Sequence, residues 1–430
     1  MWRAVVLAVL AALAGCSVGF APGGSPTPSP SPTAEPDRIG VEDGYRYDAP
    51  LATTANSSDV ALEAVVARTT ARIERLRGVE FRGDVEVVLL SRNEYRARNI
   101  SFTPAVDHTA SVRWEAAFMI GEDTDAGRVV DALFGGAVAG YYLPGSDRIV
   151  LVSESGERID TRTLAHELIH ALQDQRGWRV RGADSFDARL AATGLTEGEA
   201  VAVTRAYAAR CSETWSCLPT EPTRGNVSAV VAHPGVYLTF RAPYVAGANF
   251  VSHLRERGGW PAVTAAYDRP PRSTRELLSP AVYPTDKSTP TVSDRSTGAW
   301  KRTGTDTVGQ AATHAAFWAN RLVARDDDAI ATDYEDPYSE GLVADRIVVY
   351  RAGDRDGYVW RLRFVNASEA SEFVDGYRRL LEQHDADRHG GGVYRIDSGP
   401  FADAFRIRRD GDTVTVVNGP TIASLDAIHG

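Results

Sequence analysis

The segment His166-Glu167-Leu168-Ile169-His170 constrains this chain more than any other part of the sequence. It is an HExxH motif, and its spacing predicts an α-helix, because residues four apart lie on one face of a helix. On that face His166 and His170 can offer two imidazole nitrogens to one Zn²⁺ ion. Glu167 can then reach a water at the open coordination position and take the proton that the metal has made more acidic.

The flanking sequence fits a helix and a neighbouring strand. Residues 160–175 have the apolar spacing of an amphipathic helix, with Asp160 or Thr161 as its N-cap. The apolar run 149–152 just upstream predicts a strand. A strand beside a zinc helix is an arrangement in which an enzyme can hold a substrate backbone in extended form. The alternative interpretation is a surface helix that carries two solvated histidines.

A third metal ligand is expected, because catalytic zinc sites usually keep three protein ligands and one open position. Residues 195–211 predict a second helix with Glu197 near its start, and Glu199 is the alternative ligand. Acidic side chains in a first helical turn are also favoured by the helix dipole alone. Gly198 lowers helix propensity, and a close approach of two helices would explain its presence. Asp174, four residues after His170, can accept a hydrogen bond from a ligand histidine. The alternative is that Asp174 is exposed to solvent.

The HExxH motif followed by Glu197-Gly198-Glu199-Ala200 resembles the gluzincin metallopeptidases, in which such a glutamate is the third zinc ligand. The resemblance implies one Zn²⁺ per chain, held by His166, His170 and Glu197, with Glu167 as the general base.

Longer stretches resemble a family of predicted HExxH metallopeptidases that occur as surface lipoproteins in halophilic archaea. The similarity covers most of the chain beyond residue 55, and the zinc motifs are its specific part. A departure falls at residues 340–346, where relatives tend to carry a Gly-Trp-rich turn; it leaves the zinc motifs intact. The stretches that carry the resemblance are residues 166–175, 197–200, 243–247, 259–263, 270–274 and 368–373.

The first residues predict export and a lipid anchor. Residues 1–15 combine Arg3 with an apolar run too short to span a bilayer, as in a secretory signal. The box Leu13-Ala14-Gly15-Cys16 resembles that of lipoproteins and predicts lipid on Cys16; a free Cys16 is the alternative. Residues 16–55, rich in Pro, Ser and Thr, predict an extended tether. We therefore expect an extracytoplasmic protein, anchored to the cell membrane through its N-terminus.

The cysteines and the charge agree with that location. With Cys16 set aside, Cys211 and Cys217 are the remaining pair and predict a disulfide in an oxidising compartment. The formal net charge is −10, and nearly all positive charge comes from arginine. This acidic balance argues against nucleic-acid binding. It suits a halophilic source, although a GC-rich genome would also favour arginine over lysine.

The predicted fold class is α+β in two parts. Residues 56–285 predict a mainly helical, metallopeptidase-like domain with a short sheet, and residues 286–305 predict a linker. Residues 306–430 predict a helix followed by a small α+β unit, in which strand patterns alternate with one helix.

The expected activity is hydrolysis of peptide bonds in a peptide or protein substrate. Two alternatives stay open: a non-catalytic binding or adhesion protein that keeps the fold, and a hydrolase of another bond, such as a cell-wall amide. A peptidase also needs a hydrogen-bond donor for the developing oxyanion. Tyr244, His233 and Tyr207 are candidates by their position along the chain alone.

Overall fold

A computed structural model describes residues 38–49, 62–98, 106–134, 138–156, 159–180, 183–218, 227–285, 289–323 and 334–430. The predicted signal 1–15, Cys16 and most of the tether 16–55 lie outside these residues. Within the described ranges, no helix combines the length and the apolar character needed to cross a membrane.

Helices dominate the first two thirds of the chain. Their bounds are α1 Leu62–Arg77, α2 Arg92–Ala97, α3 His108–Ala116, α4 Ala126–Phe134, α5 Thr161–Gln175, α6 Phe186–Glu213, α7 Val227–Ala232, α8 Pro234–Ala266, α9 Thr274–Leu278, α10 Gln310–Ala319, α11 Ala367–Gln383 and α12 Ile422–His429.

The strands form three sheets. Their bounds are β1 Val41–Glu42, β2 Tyr45–Arg46, β3 Glu86–Ser91, β4 Gly140–Leu143, β5 Arg148–Ser153, β6 Lys301–Asp306, β7 Leu342–Ala352, β8 Arg355–Phe364, β9 Asp387–Gly390, β10 Val393–Arg395, β11 Ala404–Asp410 and β12 Thr413–Gly419. The mixed α and β class predicted from the sequence agrees with this arrangement.

A three-stranded sheet lies beside α5. Its order is β3-β5-β4, with β5 parallel to β3 and antiparallel to β4. The predicted strand 149–152 is therefore the central strand β5, and its continuous apolar run fits burial on both faces. Because both edges of β5 are paired, an added peptide cannot hydrogen-bond to it; β4 is the edge strand on the α5 side.

Helix α5 begins where the sequence predicts. The Asp160 side chain accepts a hydrogen bond from the Arg162 N–H, which identifies Asp160 as the N-cap. The fully buried side chains of Leu164, Leu168 and Leu172 join the core formed with α1 and β5. This packing fixes the rotation of α5, and with it the direction of the opposite face.

Helix α6 is longer than predicted. It begins at Phe186 after a Ser185 cap, so Glu197 lies near its middle and not in a first turn. The expected close approach of helices is confirmed: an added Cβ on Gly198 would lie 2.2 Å from the Gly247 carbonyl oxygen of α8. Likewise, an added Cβ on Gly247 would lie 2.1 Å from the Gly194 carbonyl oxygen. Gly194 and Gly198 of α6 and Gly247 of α8 thus lie at the contact between the two helices.

Helix α8 begins at Pro234, and Pro243 lies inside it. A kink follows at Gly258-Gly259, where Gly259 adopts φ 66° and ψ −162°. The helix resumes around Pro261.

The C-terminal part is built on a seven-stranded sheet of order β6-β7-β8-β12-β11-β10-β9, antiparallel throughout. The predicted linker 286–305 is wrong at its end, since residues 301–305 form most of β6 and Thr305 pairs with Val348. The predicted helix that follows is α10, which packs Ala311 and Ala315 against α8. Residues on both sides of the expected boundary therefore share a core.

Candidate metal centre

Helices α5 and α6 bring the predicted ligand atoms together. His166 Nε2 lies 3.3 Å from His170 Nε2 and 3.2 Å from Glu197 Oε2, and His170 Nε2 lies 3.5 Å from the same oxygen. Ligand atoms bound about 2.0–2.1 Å from a tetrahedral zinc lie roughly 3.3 Å from one another. The three atoms are thus spaced as the corners of one face of a tetrahedral coordination shell.

The three side chains differ in exposure. Glu197 and His166 are buried, whereas the His170 side chain is 12% exposed, so the site meets solvent at His170. Two imidazole nitrogens and one carboxylate oxygen are the donor set that zinc takes in many catalytic sites. The residues present therefore fit a zinc ion by both chemistry and spacing.

The charges around the three side chains also favour a cation. Burial lowers the pKa of His170, but the Glu197 carboxylate beside it raises that pKa more strongly, to about 9. Burial likewise raises the pKa of Glu197, while His170 and His166 lower it to about 2. The pocket thus holds a carboxylate beside a bound proton, and metal binding would release that proton.

Glu167 lies on the same helix and is 1% exposed. The backbone of Tyr142 in β4 lowers the pKa of Glu167 slightly, while Oε2 has no hydrogen-bond partner among the described residues. Burial raises the pKa of Glu167, and the two nearby histidines oppose that rise only in part. A buried carboxylate with a free oxygen and a raised pKa is suited to accept a proton from a water.

Glu199, the alternative third ligand, lies in a different network. It forms a buried ion pair with Arg77 and accepts hydrogen bonds from the Tyr267 hydroxyl and from Gln173 Nε2, the latter at 3.0 Å. Of the two glutamates that the sequence left open, only Glu197 belongs to the group with the histidines.

Gln173, and not Asp174, contacts a histidine of the site. Its Oε1 atom lies 2.9 Å from His170 Nδ1. Asp174 instead accepts hydrogen bonds from the Tyr142 hydroxyl at 2.8 Å and from the Gly145 N–H at 2.7 Å, and it pairs with Arg179. Asp174 is therefore a buried anchor between α5 and the turn after β4. No sequence pattern singled out Tyr267, whereas the position of Gln173, three residues after His170 on the same helix, was a signal that could have identified it.

The three residues proposed as oxyanion donors lie in different surroundings. The Tyr207 hydroxyl is contacted by the Arg72 guanidinium at 3.3 Å, and Tyr244 is buried in the large aromatic core. His233 is the residue that precedes α8. Among the described residues, His233 is not part of the group of potential ligands formed by the two histidines and Glu197.

The remaining cysteines lie close together beyond Glu197. The sulfur atoms of Cys211 and Cys217 are 2.08 Å apart, at disulfide distance, which links the last turn of α6 to the segment after it. Cys16 lies outside the described residues.

Comparisons with known proteins concern the other end of the chain. A family model described as a domain of unknown function (DUF8575) matches residues 296–429, which is less than half of the chain. No curated protein and no solved structure matches the chain. The matched range contains the seven-stranded sheet, α10, α11 and α12, and it does not include α5 or α6.

Proposed function

We propose that the protein is a zinc-dependent peptidase whose site lies between α5 and α6. The observation that supports this proposal most directly is the spacing of 3.2–3.5 Å among one carboxylate oxygen and two imidazole nitrogens. The free oxygen of Glu167 on the same helix is the second support, because a purely structural metal site has no need of it.

Each residue has a defined role in this proposal. His166, His170 and Glu197 would hold the ion. A bound Zn²⁺ would supply Lewis-acid chemistry, polarising a peptide carbonyl and acidifying a water. Glu167 accepts the proton of the attacking water at Oε2 and then delivers it to the leaving amine.

The proposed substrate is a peptide in extended conformation. In the three-stranded sheet, β4 is an edge strand, and the backbone of its Tyr142 influences the pKa of Glu167. A peptide added along this edge would pass the catalytic carboxylate. We also propose, from the sequence of residues 1–16 alone, that the enzyme is lipid-anchored on the outer face of the membrane.

The experiment that tests the activity uses the full-length protein in molar salt. We expect about one zinc per chain by mass spectrometry and cleavage of a mixed peptide library that a chelator abolishes. The Glu167→Gln variant should keep its zinc and lose activity by about 10²–10⁴-fold, the usual contribution of a general base. Glu256→Gln is the matched control, because Glu256 is exposed on α8 and should change neither value.

Two results would contradict the proposal. Zinc binding without cleavage of any peptide would favour a non-catalytic binding protein. Full activity in Glu167→Gln would exclude Glu167 as the base and leave only the metal site.

A further inference from the structure

Gln173 makes contacts that determine which nitrogen of His170 faces the metal. Its side-chain amide lies between the Nδ1 atom of His170 and a group of oxygen atoms from α6 and from Tyr267, the residue that follows α8. The orientation of this amide decides whether His170 Nδ1 must donate or accept a hydrogen bond.

The orientation of the amide is fixed by acceptors that cannot donate. Gln173 Nε2 lies 3.0 Å from the Thr196 carbonyl oxygen and 3.0 Å from Glu199 Oε2. A carbonyl and a carboxylate accept only, so the amide nitrogen must face them and Oε1 must face His170. Since Oε1 also accepts only, His170 Nδ1 carries the hydrogen. When metal binding releases the second proton of the ring, the lone pair is therefore on Nε2, which faces His166 and Glu197.

The acceptors are themselves held in place. Glu199 is paired with Arg77 and accepts a hydrogen bond from the Tyr267 hydroxyl. The ring of Tyr267 stacks on the ring of Trp178. The side chains of Arg77 and Glu199 are each 1% exposed, so the pair is shielded from water. A glutamate at position 173 would place a second carboxylate against Glu199. The network therefore requires a neutral acceptor beside His170.

We propose that Gln173 is a positioning residue, which the Arg77–Glu199–Tyr267 network orients so that His170 presents Nε2 to the metal. This inference rests on the proposed function, because it assigns a role toward the zinc that the function requires. Partners of this kind commonly change metal affinity by 10–100-fold.

The first test is the zinc dissociation constant by chelator competition, on full-length protein. We expect Gln173→Leu to bind zinc about 10–100-fold more weakly, because the His170 ring loses its acceptor. Gln175→Leu is the matched control on the same helix: it loses three hydrogen bonds, to Arg82, Gly83 and Asp147, but none to a histidine. It should leave the zinc affinity unchanged, whatever it does to the melting temperature.

A charge exchange provides a rescue. Gln173→Glu alone should weaken zinc binding, because two carboxylates then meet in a buried space. Adding Glu199→Gln removes one negative charge, so the network regains the net charge of the wild type. The amide of the new glutamine can then donate a hydrogen bond to the carboxylate at position 173. We expect the double variant to regain most of the lost affinity relative to Gln173→Glu, which a general loss of packing would not allow.

A second test needs no variant. Long-range ¹H–¹⁵N spectra of the zinc-loaded wild type should show His170 with hydrogen on Nδ1 and metal on Nε2. The opposite tautomer, or wild-type zinc affinity in Gln173→Leu, would overturn the positioning role while leaving the peptidase intact. A wild type that binds no zinc would instead remove the proposed function and this inference together.

Discussion

Among the described residues, two clusters bring three potential metal ligands within 4.8 Å of one another, and they differ in what surrounds them. The first is the His166–His170–Glu197 centre. The second contains Glu115 of α3, Glu122 and Asp403, and it lies where the helical part meets the C-terminal sheet. Proximity alone does not distinguish the two clusters.

The two clusters differ in the pKa of their carboxyl groups. In the first centre, two imidazoles lower the pKa of Glu197 to about 2, so a charged carboxylate is favoured. In the second cluster, burial and then Glu122 raise the pKa of Asp403 to about 7, although Arg395 opposes this. Burial and Asp403 also raise the pKa of Glu115. The first centre is prepared for a cation, whereas the second is stabilised by bound protons.

The largest effect that we expect concerns the support of the first centre. Replacing Arg77 by alanine leaves Glu199 as a buried charge without its partner and removes contacts with the rings of Trp178 and Trp260. The free energy of unfolding should fall by about 3–5 kcal/mol, measured by denaturant titration. Arg128→Ala, at a side chain that is 90% exposed, should change it little. A loss below about 1 kcal/mol in Arg77→Ala would show that the network does not anchor the site.

A smaller effect is expected at the crossing of α6 and α8. The methyl group of Gly198→Ala would lie 2.2 Å from the Gly247 oxygen, so the helices must separate. We expect a loss of about 1–3 kcal/mol and weaker zinc binding, because Glu197 moves with α6. Gly83→Ala is the control, since nothing lies within 4 Å of its added Cβ. Unchanged zinc affinity in Gly198→Ala would mean that the centre does not depend on this crossing.

The smallest effect is expected in the second cluster and depends on pH. Folded Asp403 keeps its proton up to about pH 7, whereas the ordinary value is 3.8. The folded state therefore binds more protons between about pH 4 and 7, and the free energy of unfolding falls as the pH rises through that range. Asp403→Asn imitates the protonated form. It should raise stability on the order of 1–2 kcal/mol at pH 8 and leave it unchanged near pH 4.

Melting curves at several pH values would measure this difference. Asp354→Asn, at an exposed position in the same part of the protein, should not alter the pH profile. If Asp403→Asn lowered stability at pH 8, the charged carboxylate would be the stabilising form, and the contrast between the two clusters would fail.

Local signals in the sequence predicted much of the first centre. The four-residue spacing of His166 and His170 fixes their common face once a helix forms. Ser91 and Glu94 have the three-residue spacing of a capping box, and the box is present, with the Ser91 N–H 2.8 Å from the Glu94 carboxylate. Such features depend on neighbours in the chain, and a sequence displays them directly.

Features that depend on tertiary contacts were predicted less well. Gln173 and Asp174 are adjacent polar residues, both within one helical turn of His170, and only the packing of α6 and α8 decides which of them contacts it. Gly198 predicted that two helices approach each other closely, but it did not predict that α6 continues through this glycine. The cluster at Asp403 joins segments from opposite halves of the chain, and no local pattern marks it.

The course of the chain from β6 to α10 has a practical consequence. The strand belongs to the C-terminal sheet, whereas the helix a few residues later packs on α8. A fragment that contains only the range of the DUF8575 match, residues 296–429, would keep α10 but lack α8, the helix that buries its apolar face. Water would then contact the side chains of Ala311, Ala315 and Trp318. We expect such a fragment to aggregate unless it also contains α8.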